Sequence, residues 1–106
     1  MPAYAIANLS NVDVNADIAR YIATIDETLA LFGGRFLVHG KVPQVMEGDW
    51  ADWTVVVAFP DLERAHAWYA SPGYQEILPL RTNNSDGATI IVEGVDEGYR
   101  AASFLA

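Results

Sequence analysis

The chain has 106 residues, 52% of them hydrophobic and 11% aromatic, which suffices for one domain with a buried core and argues against disorder. Its 14 acidic and 6 basic residues give a net charge of −8, which argues against binding to nucleic acids and to anionic membranes. There is no cysteine, no signal-peptide pattern and no run of roughly 20 apolar residues, so disulfides and thiolate chemistry are excluded and we expect a soluble, cytoplasmic protein.

The first 41 residues are predicted to form a strand, a helix and a second strand. Residues 3–9 are a short apolar run typical of a strand, and residues 11–15 supply turn and N-cap residue types. Residues 16–32 carry apolar side chains at steps of three and four, which predicts an amphipathic helix that ends at the glycine pair 33–34. Residues 35–41 are predicted to be the second strand.

The next segment contains the strongest strand signal in the chain. Residues 42–50 are predicted to be a turn and an irregular edge, because Pro43 cannot donate a hydrogen bond to a central ladder. Residues 53–59 (WTVVVAF) are almost continuously apolar, which indicates a strand buried on both faces.

The last part of the chain is predicted to contain two helical pieces and a strand. Asp61 is a suitable N-cap for a helix, and the Ser71-Pro72 pair ends that helix and starts a second piece at residues 73–80. A turn at residues 83–87 precedes the final strand at 88–95, and residues 96–106 are predicted to be a tail.

The resulting order, β-α-β-β-α-β, predicts an α+β protein with the ferredoxin-like fold. Four strands would form one antiparallel sheet with both helices on one face. Residues 1–95 would make up the single domain, and residues 96–106 a C-terminal tail.

Alternation along the strands separates one uniformly apolar set, expected to face the helices, from a second, mixed set. The second set comprises Tyr4, Ile6, Asn8, Arg35, Leu37, His39, Thr54, Val56, Ala58, Thr89, Ile91 and Glu93. This mixed face is too apolar to stay in water. We therefore expect a homodimer in which two sheets pack face to face.

Several stretches of the sequence resemble the DUF1330 family, a group within the dimeric α+β barrel superfamily of ferredoxin-like folds. They are GGRFLVHG, VMEGDW, VVVAFPDLERAHAWYASPGYQEILPLR and IIVEG. The resemblance implies a homodimer whose sheets close into a barrel. It implies no particular activity, because the wider superfamily includes cofactor-free monooxygenases, isomerases, haem proteins and ligand-binding modules. A role for His39 does not follow from the resemblance.

The aromatic stretch from Trp68 to Arg81 holds the main candidate site. Trp68 and Tyr74 could wall a cavity together with Tyr21 and Phe59, with Arg81 at its mouth to grip a carboxylate through two hydrogen bonds. The alternative is structural: Trp68 belongs to a packed helix stripe, and Arg81 caps its helix or pairs with a nearby glutamate.

The two histidines differ in their expected surroundings. His66 lies off the apolar stripe of its helix and is expected to be solvated. His39 lies on the mixed face, where burial in a dimer interface could make it an acid-base group; a hydrogen-bonded structural histidine is the alternative. Two histidines on different faces do not form a metal site, and we expect no metal, haem or other cofactor.

The sequence therefore leaves three hypotheses for function. The first is binding of a small, partly aromatic or carboxylated molecule. The second is a cofactor-independent monooxygenase or isomerase that uses an interface His or Tyr, with His39 as the candidate catalytic residue. The third is an oligomerisation scaffold with a filled core. Whether the protein is an enzyme stays open at this point.

Overall fold

The computed structural model describes residues 1–105. It contains four strands, three α-helices and a short 3₁₀ helix near the C-terminus. In chain order these are β1 (Ala3–Ser10), α1 (Ala16–Ala30), β2 (Arg35–Val38), β3 (Trp53–Phe59), α2 (Leu62–Ala70), α3 (Pro72–Thr82), β4 (Asp86–Glu93) and the 3₁₀ helix (Ala101–Leu105). No helix of the described part of the chain is long and apolar enough to cross a membrane.

The four strands form one antiparallel sheet in the order β2-β3-β1-β4. β1 and β3 are therefore central. α1 contacts α3 and β2, and α2 contacts β1, β3 and β4, so the helices cover one face of the sheet. The predicted α+β, ferredoxin-like architecture is confirmed.

Side-chain caps start all three helices where the residue types predict them. Asn15 Oδ1 accepts a hydrogen bond from Ile18 N–H at 3.0 Å at the start of α1. Asp61 Oδ1 accepts from Arg64 N–H at 2.8 Å at the start of α2. Ser71 ends α2 and its Oγ accepts from Tyr74 N–H at 3.3 Å, so one serine sets the corner between α2 and α3.

The core lies between the sheet and the helices. The largest fully buried side chains are Leu29, Phe59 and Tyr74, one each from α1, β3 and α3. Ala3 and Ala5 of β1 are also buried, and their small side chains let the helices approach the centre of the sheet.

The predicted facing of β4 is wrong. Ala5 of the helix-covered face pairs with Ile91, and Ile6 of the other face pairs with Ile90. Directly opposed residues of an antiparallel pair share a face, so Thr89, Ile91 and Glu93 lie on the helix side and Ile90 and Val92 on the open side. Both alternating sets of this strand contain isoleucine, so its own pattern did not identify the face that packs against the helices.

The predicted position of His39 on the mixed face is also wrong. Phe36 pairs with Val57, but Val38 pairs with Val56, so a β-bulge at Leu37 reverses the alternation within β2. β2 ends at Val38, and the His39 ring packs against Phe36 with 4.9 Å between ring centroids. His39 thus lies on the side of the sheet that faces the helices.

The open face of the sheet carries apolar side chains that no element of residues 1–105 covers. Ile90 is 54% exposed and Val92 is 43% exposed, whereas Val57 on the opposite face is 3% exposed. The tail beyond β4 adds exposed Phe104 and Leu105 in the 3₁₀ helix. Ala106, the last residue of the predicted tail, lies outside the described residues.

Candidate functional site

A largely apolar cavity lies between the sheet and the helices. The cavity is partly open to solvent and has a volume of about 70 Å³; all the empty space between the lining side chains, with the adjoining solvent included, is about 700 Å³. Most of the wall is aliphatic and comes from β1, α1 and β3. The polar or aromatic side chains on the wall are Tyr21, Phe36, His39, Trp53, Trp68, Tyr74, Arg81 and Thr89.

Two tyrosines form a buried pair in this wall. Tyr21 lies on the apolar stripe of α1, and Tyr74 lies in the first turn of α3, directly after the Ser71 cap. Their hydroxyl oxygens are 2.7 Å apart, and their rings meet edge to face. One of the two hydroxyl hydrogens makes this mutual bond, so the other is free to donate to a third group.

Arg81 completes the polar end of the cavity. It lies in the last turn of α3, and its Cζ is 5.8 Å from the centre of the Tyr21 ring. The side chain is half-buried. Within residues 1–105 no carboxylate lies within 4.0 Å of the Arg81 guanidinium. The one salt bridge in this part of the chain joins Arg64 to Asp61. The glutamate partner considered from the sequence is therefore absent from this part of the chain.

Burial fixes the protonation of this cluster. It raises the pKa of the Tyr21 phenol well above its usual range, and the neighbouring Tyr74 hydroxyl adds to the increase. Burial by itself lowers the pKa of Arg81. The two phenols together raise this pKa by more than burial lowers it, so the net direction is upward. At neutral pH Arg81 is therefore a guanidinium cation beside the neutral Tyr21 phenol.

Trp68 packs against Tyr74 of the cluster, and Phe59 packs against Trp68. Trp68 is buried, and its indole N–H donates to Thr28 Oγ1 at 3.0 Å. Its ring lies 4.0 Å from the Tyr74 ring and 5.4 Å from the Phe59 ring, centroid to centroid. Trp68 also lines the cavity, whereas Phe59, predicted to bound it, does not.

The two histidines lie in different surroundings. His39 is exposed but lines the cavity, where the bulge in β2 has placed it. His66 is exposed on α2 and does not line the cavity. Among residues 1–105 no group of three His, Asp or Glu side chains is placed to hold a metal ion.

Sequence reasoning did not identify Thr28, the buried acceptor for the Trp68 indole. A signal was nevertheless present: Thr28 follows Ile18, Tyr21 and Ile25 at helical spacing, so it extends the buried stripe of α1. A hydroxyl on an apolar stripe needs a partner. Which partner it finds depends on α2, 40 residues away in the sequence.

Comparison with known families gives a match over almost the whole chain. Residues 2–95 match the family described as "Domain of unknown function (DUF1330)". A search of curated proteins found no match.

Solved structures with a similar fold share little sequence with the chain. A protein of unknown function from Rhodopseudomonas palustris has a TM-score of 0.66 and 15% identity, with 90% of this chain and 83% of that chain covered. A dimeric ferredoxin-like protein of unknown function from Jannaschia sp. CCS1 has a TM-score of 0.63 and 14% identity, with 91% and 100% covered.

An enzyme is also among the similar structures. SnoaB, a cofactor-independent oxygenase from Streptomyces nogalater, has a TM-score of 0.55 and 13% identity, with 90% of this chain and 92% of that chain covered. At these identities the likeness concerns the fold alone.

Proposed function

The chain belongs to the DUF1330 family, a domain family of unknown function, and we propose that it binds a small molecule with a carboxylate and an apolar or aromatic body. The ligand would occupy the cavity between the sheet and the helices. Its carboxylate would lie on Arg81, beside the Tyr21–Tyr74 pair.

The observation that carries the proposal is a half-buried guanidinium in the wall of an apolar cavity, with no carboxylate partner among residues 1–105. Removing a cation from water is costly unless an anion or hydrogen-bond acceptors replace the water. The phenol oxygens of Tyr21 and Tyr74 offset part of this cost for Arg81. A carboxylate would offset more, because it can accept two parallel hydrogen bonds from a guanidinium.

The dimensions of the cavity limit the ligand. An apolar cavity of about 150 Å³ can hold benzene, so a cavity of about 70 Å³ has room for a carboxylate and a few carbon atoms. A ring would extend from this volume toward solvent, with the aromatic wall residues Phe36 and Trp53 available to contact it. Arylacetates have this shape. The presence of a cavity also favours binding over an oligomerisation scaffold with a filled core.

A thermal-shift series tests the proposal. Phenylacetate and its neutral counterpart phenylacetamide would be added to the wild type, to Arg81→Gln and to Arg64→Gln. Arg64 is the matched control, because it is an exposed arginine on α2 whose partner is Asp61.

We expect phenylacetate to raise Tm of the wild type and of Arg64→Gln, and to leave Arg81→Gln unchanged, because ligand binding to the folded state alone adds stability. Phenylacetamide should have a much smaller effect on all three proteins. Equal shifts with acid and amide, equal shifts for wild type and Arg81→Gln, or no shift with either compound would overturn the proposal.

We infer further that the protein is a homodimer through the open face of the sheet. Ile90 and Val92 leave an apolar surface there. A second copy of the sheet would cover this surface, and the similar structure from Jannaschia sp. CCS1 is described as dimeric. The cytoplasmic location stays a prediction supported by the lack of cysteine, and cell fractionation would test it.

A further inference from the structure

We propose that the cavity catalyses enolisation of a 2-oxo carboxylic acid, with His39 as the base that removes a proton from the carbon next to the ketone. The proposal rests on the proposed function, since the same Arg81 would hold the substrate carboxylate. It adds a reaction class and a catalytic residue to that binding site.

The β-bulge in β2 is the first observation behind this proposal. Without it, His39 would share a face with Arg35 and Leu37, outside the cavity. The bulge turns His39 toward the helices, and the contact with Phe36 at 4.9 Å supports its ring. Bulges of this kind re-aim side chains and are enriched beside active sites.

His39 has the accessibility that a base needs. It is exposed at the cavity wall, and neither ring nitrogen makes a hydrogen bond to another residue of 1–105. An unprotonated imidazole at this position can accept a proton from a molecule that enters through the mouth.

Other residues of the same cavity wall supply the complementary groups. Burial raises the pKa of Tyr21, so this phenol stays protonated and is a donor and not a base. The spare hydroxyl hydrogen of the Tyr21–Tyr74 pair can bond the ketone oxygen while Arg81 holds the carboxylate. Donors aimed at the oxygen where negative charge develops stabilise an enolate.

The step balances without a further reactant. The C–H bond breaks and its proton moves to a nitrogen of His39, while the electron pair forms the C=C bond and the ketone oxygen becomes an enolate oxygen. Return of the proton to that carbon regenerates the ketone, and its delivery to the oxygen gives the enol. In D₂O the imidazole exchanges its proton with solvent, so the carbon acquires deuterium.

Two probes separate binding from chemistry. Phenylpyruvate has an enolisable methylene group, and phenylglyoxylate is a 2-oxo acid with no hydrogen on the neighbouring carbon. Proton NMR in D₂O would follow loss of the phenylpyruvate methylene signal above the buffer rate. Calorimetry would measure phenylglyoxylate binding. The proteins would be wild type, His39→Gln and His66→Gln, the last with an exposed histidine outside the cavity.

We expect wild type and His66→Gln to bind phenylglyoxylate and to accelerate deuterium incorporation. His39→Gln should bind with similar affinity and exchange about 100-fold more slowly, as loss of a positioned base predicts. Binding without exchange in the wild type, or equal exchange in His39→Gln, would refute this inference and leave the binding proposal intact. If the wild type binds no 2-oxo acid, the inference falls as well; the arylacetate series judges the binding proposal on its own.

Discussion

Thr28→Val tests whether the hydrogen bond between Trp68 and Thr28 stabilises the site. The substitution keeps the shape of the side chain but removes the acceptor of the indole N–H. Trp68 is 3% exposed and Thr28 is 9% exposed, so water cannot easily replace the lost partner. A buried donor left without a partner costs about 1–3 kcal/mol.

Thr24→Val is the matched control on the same helix. Thr28 Oγ1 also donates to Ile25 O at 2.7 Å, and Thr24 Oγ1 donates to Arg20 O at 2.8 Å. Both variants therefore lose one local bond from hydroxyl to backbone, but only Thr28→Val leaves an indole unpaired. The control should change stability by no more than about 0.5 kcal/mol, as expected for a surface substitution.

Urea unfolding followed by tryptophan fluorescence would measure the difference. All proteins would be compared at one concentration, because the proposed dimerisation would make apparent stability depend on concentration. Thr28→Val should lower the urea midpoint with an unchanged m-value, and its Tm should fall by several degrees. If Thr28→Val is no less stable than Thr24→Val, the hydrogen bond does not hold Trp68 as described.

Three further predictions concern the tyrosine pair, a glycine of β4 and the open face. Burial raises the pKa of Tyr21 in the folded state, so the stabilising contribution of its neutral phenol is complete below about pH 10 and decreases as the pH rises above that value. Above pH 10, about the usual tyrosine pKa, Tm of Tyr21→Phe should therefore fall less steeply with pH than Tm of the wild type. Gly87 has φ of 131° and an added Cβ would clash with the backbone oxygen of Asn8, so Gly87→Ala should lower the free energy of unfolding by about 1–3 kcal/mol. An unchanged urea midpoint would contradict this. Ile90→Asp should convert the proposed dimer to the 11.6 kDa protomer in sedimentation, whereas Leu31→Asp, at an exposed residue away from the sheet, should leave the dimer intact. An intact dimer of Ile90→Asp would place the interface elsewhere.

The fold was largely predictable because local signals agreed with one another. The glycine pair after α1, the apolar run of β3 and the Ser71-Pro72 corner each mark an element boundary by residue type alone. The corner also explains why Trp68 and Tyr74 meet: they lie on different helices, on either side of one capping serine.

The lining of the candidate cavity was predictable in part. Tyr21, Trp68, Tyr74 and Arg81 were expected at one cavity and do line it together. The bond between the two tyrosine hydroxyls joins residues 53 apart and depends on how α1 packs on α3, which no local pattern encodes.

The remaining errors concern the facing of β4 and of His39, and both arise from pairing between strands. The alternation of β4 fits either face, and its partner β1 selects one of them. The bulge that moves His39 exists only as a mismatch between β2 and β3, so a single strand read by itself does not reveal it.

The most direct test of the central claim is to observe the arginine side chains while a carboxylate binds. The wild type, labelled with ¹⁵N, would be titrated with phenylacetate, and the Nε–Hε signal missing from Arg81→Gln would identify Arg81. The account predicts a saturable shift at Arg81, with the exposed Arg64 unaffected. A uniform small shift at all arginines, or none at Arg81, would contradict it.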